Sequence, residues 1–162
     1  GILIQFPLPG HLDDRAVLFP RSLGAAHQGT ISQMEYKKNP AQWEAFAQRV
    51  GKLGRLAWAE GGLLIRPPTD AGELVLEGKA LNQCVARYVG EMAKGKTAIL
   101  LLRRAAEPDR PFYTLEWREG RVVQCRTKHN KSYQADPEVR AFVERWAERV
   151  AELDRRKGVG AA

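Results

Sequence analysis

Hydrophobic and polar positions change their spacing several times along the chain, and each change marks a boundary between elements. Residues 1–20 are rich in proline and poorly periodic, which predicts an extended N-terminal arm. Ser22 is a suitable N-cap for a helix reaching about Tyr36, with Leu23, Ala26, His27, Ile31 and Met34 near one side. Asn39-Pro40 combines a cap with a proline in the first turn and predicts a second helix. Trp43, Phe46, Val50, Leu53 and Ala57 follow at helical spacing until Gly61-Gly62. Leu63–Arg66 then reads as a short strand ended by Pro67-Pro68. Glu77-Gly78 is expected to turn the chain into a third helix, with Leu81, Cys84, Val85, Tyr88 and Met92 on one stripe and Gly95 at its end. The run Ala98–Arg103 is apolar almost throughout, as in a central strand covered on both faces. Asp136-Pro137 opens a last helix carrying Val139, Phe142, Val143, Trp146, Val150 and Leu153, and the tail from Arg155 is expected to fray.

The stretch between Phe112 and Arg126 alternates with period two around Arg118-Glu119-Gly120. A three-residue hairpin loop ending on a left-handed residue suits Gly120, and it would pair Glu116 with Val122, Thr114 with Gln124 and Phe112 with Arg126. One face then holds Tyr113, Leu115, Trp117, Val123 and Cys125, a core face; the other holds Thr114, Glu116, Gln124 and Arg126. Together these elements predict an α+β fold, with four helices packed on one face of a small antiparallel sheet of about three to four strands. The arm would occupy residues 1–20, a single domain residues 21–156 and a frayed tail residues 157–162.

Composition narrows the class. At 162 residues, 44% hydrophobic and 28% charged, the chain fits one globular domain with a substantial core. No run approaches the ~18 apolar residues of a membrane span. The start, Gly1-Ile2-Leu3-Ile4-Gln5-Phe6, has no initiator methionine and reads like the interior of a longer polypeptide. Cys84 and Cys125 are the only cysteines, which points to a reducing, cytoplasmic setting and buried thiols. A net charge of +7 attracts polyanions, so nucleic acid, as RNA or single-stranded DNA, is the expected partner.

The polar hairpin face is either plain solvated sheet or a site, and the residues leave both open. As a site, Glu116, Arg126 and His129 are the elements of metal-independent RNA cleavage: a base for the 2′-hydroxyl, a cation for the phosphorane, an acid for the leaving oxygen. As plain sheet, Glu116 and Arg126 form a cross-strand ion pair worth under about 1 kcal/mol. Thr114 and Gln124 would orient a phosphate or base edge, or bond each other across the strands. Arg103, Lys128, Asn130 and Lys131 extend a basic surface beside them, with Tyr133 near for stacking. Cys84 lies on an apolar stripe beside Gln83, which cannot act as a base, so it reads as core rather than nucleophile; Cys125 reads the same way. His27 reads as a structural histidine, and the scattered histidines and cysteines give no metal-ligand spacing and no cofactor motif.

One ordered set of residues carries a resemblance. Leu76-Glu77-Gly78, Leu81-Asn82-Gln83-Cys84-Val85, Tyr88, Gly95, Arg103, Thr114-Leu115-Glu116 and Gln124 through Asn130 together resemble the C-terminal region of PcfJ-like proteins. Phe19-Pro20-Arg21-Ser22-Leu23 and Ala26-His27 look like a further matching element. The resemblance implies a plasmid- or phage-borne setting and a longer parent protein. Gln83 stands where the family often has His, and Thr127 where it often has Gly. The expected function is nucleic-acid binding by the polar sheet face, with ribonuclease action or docking on a larger protein complex as the rivals.

Overall fold

The structure, a computed structural model, describes residues 39–83 and 87–160. The arm, the helix from Ser22, His27 and Cys84 lie outside the described residues. Helix α1 spans Pro40–Leu53, opened by the Asn39 side chain accepting from the Gln42 N–H, and a 3-10 turn Gly54–Leu56 leads into strand β1, Trp58–Glu60. The helical stripe read through Ala57 therefore stops at Leu53. Gly61 and Gly62, both at positive φ, are the two-residue turn of a hairpin to β2, Leu63–Arg66, rather than the stop of a helix.

The third helix read from Glu77-Gly78 to Gly95 is two helices. Helix α2 spans Ala71–Leu81 and contains both Glu77 and Gly78; α3 spans Tyr88–Ala93. Asp70 caps α2, its carboxylate accepting from the Glu73 N–H at 2.8 Å. At the other end Asn82 takes left-handed φ, and the N–H groups of Asn82 and Gln83 return to the Lys79 and Gly78 carbonyls. That closure satisfies the last carbonyls and turns the chain sharply, a job asparagine does at small cost.

Five strands form one antiparallel meander in the order β1-β2-β3-β4-β5, with β3 at Ala98–Arg104, β4 at Tyr113–Arg118 and β5 at Arg121–Arg126. The fold is α+β, with five strands where the hydrophobic pattern predicts three to four; β1 is the strand hidden in the helical reading. Helices cover both faces, not one. Trp117 meets Trp146 of helix α4, Pro137–Gly160, edge to face at 4.9 Å, while Arg103 pairs with Glu77 of α2. Leu102, Arg103 and Trp117 fit this, since neighbours along a strand point to opposite sides. Phe142 and Trp146 of α4 anchor the apolar face, Phe142 stacked on Trp58 and the Trp146 indole donating to the Leu56 carbonyl at 2.8 Å.

The β4–β5 register also differs from expectation. Glu119 and Gly120, at φ 53 and 76, make a two-residue turn closed by Arg118 and Arg121. A bulge then leaves Val123 unpaired, so Glu116 faces Gln124 and Thr114 faces Arg126. Tighter turn and bulge displace the pairing by two residues, which preserves each residue's face because the side-chain period is two. Val122 and Val123 are the exceptions: Val122 pairs with Trp117 and packs against the core, while Val123 is 38% exposed instead of buried there. No helix among the described residues is long and apolar enough to cross a membrane.

Candidate functional site

The sheet face opposite α4 is covered by a charged layer before it opens into a hollow. Arg66 and Arg103 stand on neighbouring strands, and Glu73 and Glu77 stand one helical turn apart on α2, so the two pairs meet side by side. Arg66 binds Glu73 through two contacts of 2.6 and 3.1 Å, and Arg103 binds Glu77 through two of 2.9 and 2.6 Å. All four side chains are buried. Burial alone pushes the Glu73 carboxyl up, but the Arg66 guanidinium and the Thr69 N–H outweigh it and hold the group below the usual carboxylate range. Thr114 ties the layer to β4, its hydroxyl donating to Glu77 at 3.2 Å.

Beyond α2 the sheet face stays open as a recess of about 360 Å³. Its floor is Ile99, Thr114 and Glu116, and its rim includes Asn82, Tyr88, Arg126 and Asn130. Glu116 is 5% exposed, and each of its oxygens is held: Oε2 accepts from the Thr97 hydroxyl at 2.8 Å, Oε1 from the Gln124 amide at 3.3 Å. The same amide nitrogen donates to the Tyr88 phenol at 3.0 Å, and the Gln124 oxygen accepts from Arg126 Nε at 3.3 Å. Gln124 thus links a fixed carboxylate to a guanidinium across the strand, in place of the direct Glu116–Arg126 ion pair considered above. Arg126 Nη1 donates to the Asn130 carbonyl at 3.1 Å and so fastens the following loop. Gln83, delivered by the turn at Asn82, donates to the Arg126 and Thr127 carbonyls at 3.1 and 3.0 Å and pins the end of β5 to α2.

Three groups keep bonding capacity toward the hollow. The Tyr88 phenol oxygen accepts from both Gln124 and Arg87, which leaves its own proton to donate. Arg126 spends Nε and Nη1, while Nη2 has no bond to the described residues. Glu116 holds about four lone-pair sites and uses two. A ligand that satisfies all three carries hydrogen-bond donors beside an anionic group.

Of the residues singled out from the sequence, the structure gathers Thr114, Glu116, Gln124, Arg126 and Asn130 around this recess. Lys128 and Lys131 are exposed on the loop beside it. His129 is exposed at φ 61 and is not among the recess walls. Arg103 lies 2% exposed within the charged layer rather than on a basic surface. Tyr88, Thr97 and Asn82 are site residues that periodicity hides. Tyr88 reads as one more apolar stripe position, Thr97 as a strand end, and only the tolerance of asparagine for left-handed backbone marks Asn82. Among the described residues no cluster of His, Cys, Asp and Glu could hold a metal ion. Cys125 is 1% exposed, and burial pushes its thiol far above the usual range, so it is core.

The family model for PcfJ-like proteins matches residues 6–140. A curated relative, the uncharacterized protein Lin1253/Lin1744 of Listeria innocua, is 29% identical over 121 residues, which is 74% of this chain. The match spans 27% of that protein's length. No solved structure matches the chain.

Proposed function

The chain belongs to the PcfJ-like family, and from that premise we propose that this domain binds single-stranded nucleic acid, RNA in preference to DNA, in the recess on its polar sheet face. The observation that carries the reading is the Glu116–Gln124–Arg126 chain of hydrogen bonds, with an unspent guanidinium edge at one end and a buried acceptor at the other. A phosphate suits Arg126 Nη2 and is repelled by Glu116. A hydroxyl or base N–H suits Glu116. A ribonucleotide offers both, the 2′-hydroxyl standing one sugar bond from the phosphate-bearing carbon, and that hydroxyl is what a protein uses to tell RNA from DNA. The cytoplasm of a cell carrying a plasmid or phage is the setting the family resemblance implies.

A ribonuclease reading uses the same groups. Glu116 would take the 2′-hydroxyl proton, the 2′-oxygen would attack phosphorus, Arg126 would offset the charge, and a 2′,3′-cyclic phosphate would form as the 5′-oxygen leaves. The proton for that oxygen comes from Tyr88, whose hydroxyl is free to donate, rather than from His129, which stands outside the recess. Incubation of end-labelled RNA with the full chain in EDTA separates the readings. Binding alone retards an intact strand. Cleavage by transesterification yields cyclic-phosphate ends that Glu116→Gln and Tyr88→Phe abolish. A strand neither retarded at low salt nor cut overturns both.

A further inference from the structure

The recess is one stop on a longer basic path. On the loop side, past the Gln83 bonds to the Arg126 and Thr127 carbonyls, Leu81, Thr127 and Lys128 line a second hollow of about 520 Å³ together with Arg104, Arg110 and Phe112. There the Arg104 guanidinium lies over the Phe112 ring, 4.3 Å from its centroid, and both flank the start of β4. On the opposite side Glu116 and Arg87 are shared with a hollow that reaches Arg118, and Arg118 is shared in turn with a cleft lined by Arg49, Lys52, Lys96 and Thr97. Thr97, whose hydroxyl orients Glu116, therefore stands between recess and cleft.

The charge along this route is lopsided. Ten lysines and arginines line the four hollows against five carboxylates. Two of those carboxylates, Glu107 and Asp154, are already paired with Arg110 and Arg55. The excess of five on one route is most of the chain's net +7, so the basicity is concentrated and not scattered for solubility. Lys52, Lys96, Arg104 and Arg118 are exposed. Resting on the single-strand reading above, we infer that the strand is laid along β4. It would run from an Arg104–Phe112 shelf, where a base stacks, across the recess to a phosphate-holding cleft at Arg118, Lys96, Lys52 and Arg49. Phe112 to Arg118 is six residue steps of extended chain, roughly 20 Å, which selects a strand of several nucleotides rather than a mononucleotide. A single strand fits because cations following a backbone, with an aromatic plane beside them, take stacked bases without reading sequence.

The test compares a short RNA of about three nucleotides with one of about twelve, within the range such grooves occupy. The measurement is fluorescence anisotropy with the full chain. Lys96→Glu with Arg118→Glu alters one end, and Arg104→Glu, or Phe112→Leu to keep the apolar packing, alters the other. The expected result is an affinity loss on the order of tenfold from either end for the long strand, and little change for the short one. If Arg126→Ala weakens both strands while neither end matters to the long one, the recess stands and the path is wrong. If no strand binds, or an acidic peptide binds more tightly than RNA, recess and path both fail.

Discussion

Removing Glu77 should be far more damaging than removing Glu77 and Arg103 together. The pair is bidentate, with contacts of 2.6 and 2.9 Å, and neither side chain is more than 2% exposed. Glu77→Ala leaves the Arg103 guanidinium buried without its counter-ion and the Thr114 hydroxyl without its acceptor. An uncompensated charge of that kind costs about 3–5 kcal/mol. At roughly 2–4 °C per kcal/mol for a chain of this size, the melting temperature should fall by about 6–20 °C. Glu77→Leu with Arg103→Met removes both charges and keeps the volume filled, an exchange that elsewhere is neutral or stabilising by about 1–4 kcal/mol. Urea unfolding of the full chain, followed by tryptophan fluorescence and run as a double-mutant cycle, measures the difference. Single substitutions costing under about 1 kcal/mol, or a double variant as unstable as the singles combined, would refute the view that α2 is held to the sheet by two mutually dependent charge pairs.

Other outcomes follow from the same geometry. Glu73 has a folded pKa below its ordinary 4.5, so its contribution is present above that pH and is lost as pH falls through the depressed folded value. Glu73→Gln should therefore flatten the acid limb of a stability–pH curve, and an unchanged limb would contradict the assignment. Cys125, buried and with a raised pKa, should resist alkylation at pH near 8 in the native chain and label fully in denaturant, read by mass spectrometry of its own peptide. Gly120→Ala places a Cβ at φ 76 in the β4–β5 turn and should destabilise by about 1 kcal/mol, whereas Glu119→Asn or Glu119→Gly should stabilise it slightly in thermal melts. Gln83→Ala, which unpins the end of β5, should weaken RNA binding with little change in melting temperature.

Much of this arrangement is legible in the sequence because strand alternation is insensitive to a two-residue slip. The polar set Thr114, Glu116, Gln124 and Arg126 lands on one face whether or not the turn is read correctly. Partners are less forgiving: a bulge at Val123 carries no sequence mark, and together with the two-residue turn it moves Glu116 from Val122 to Gln124. Strand β1 is hidden because Ala57 continues a helical stripe until two glycines end it. Those glycines fit a hairpin as well as a helix stop, and local pattern does not choose between them. The split of the third helix follows the same logic, since Leu81, Tyr88 and Met92 keep helical spacing across a break set by one left-handed asparagine. Arg103 shows the limit of charge counting. Its charge is plain in the sequence, but its burial depends on Glu77 arriving from a helix 26 residues away.

The central claim is that Arg126 and its neighbours hold a phosphate of single-stranded RNA beside a buried acceptor. The most direct measurement is the salt dependence of RNA affinity for the full chain and for Arg126→Ala. Each phosphate neutralised adds about −0.7 to the slope of log affinity against log salt. The account predicts a steep slope for the wild type, made shallower by about 0.7 in the variant, with affinity down by roughly tenfold or more. A wild-type affinity indifferent to salt, or a variant with the wild-type slope and affinity, would contradict it.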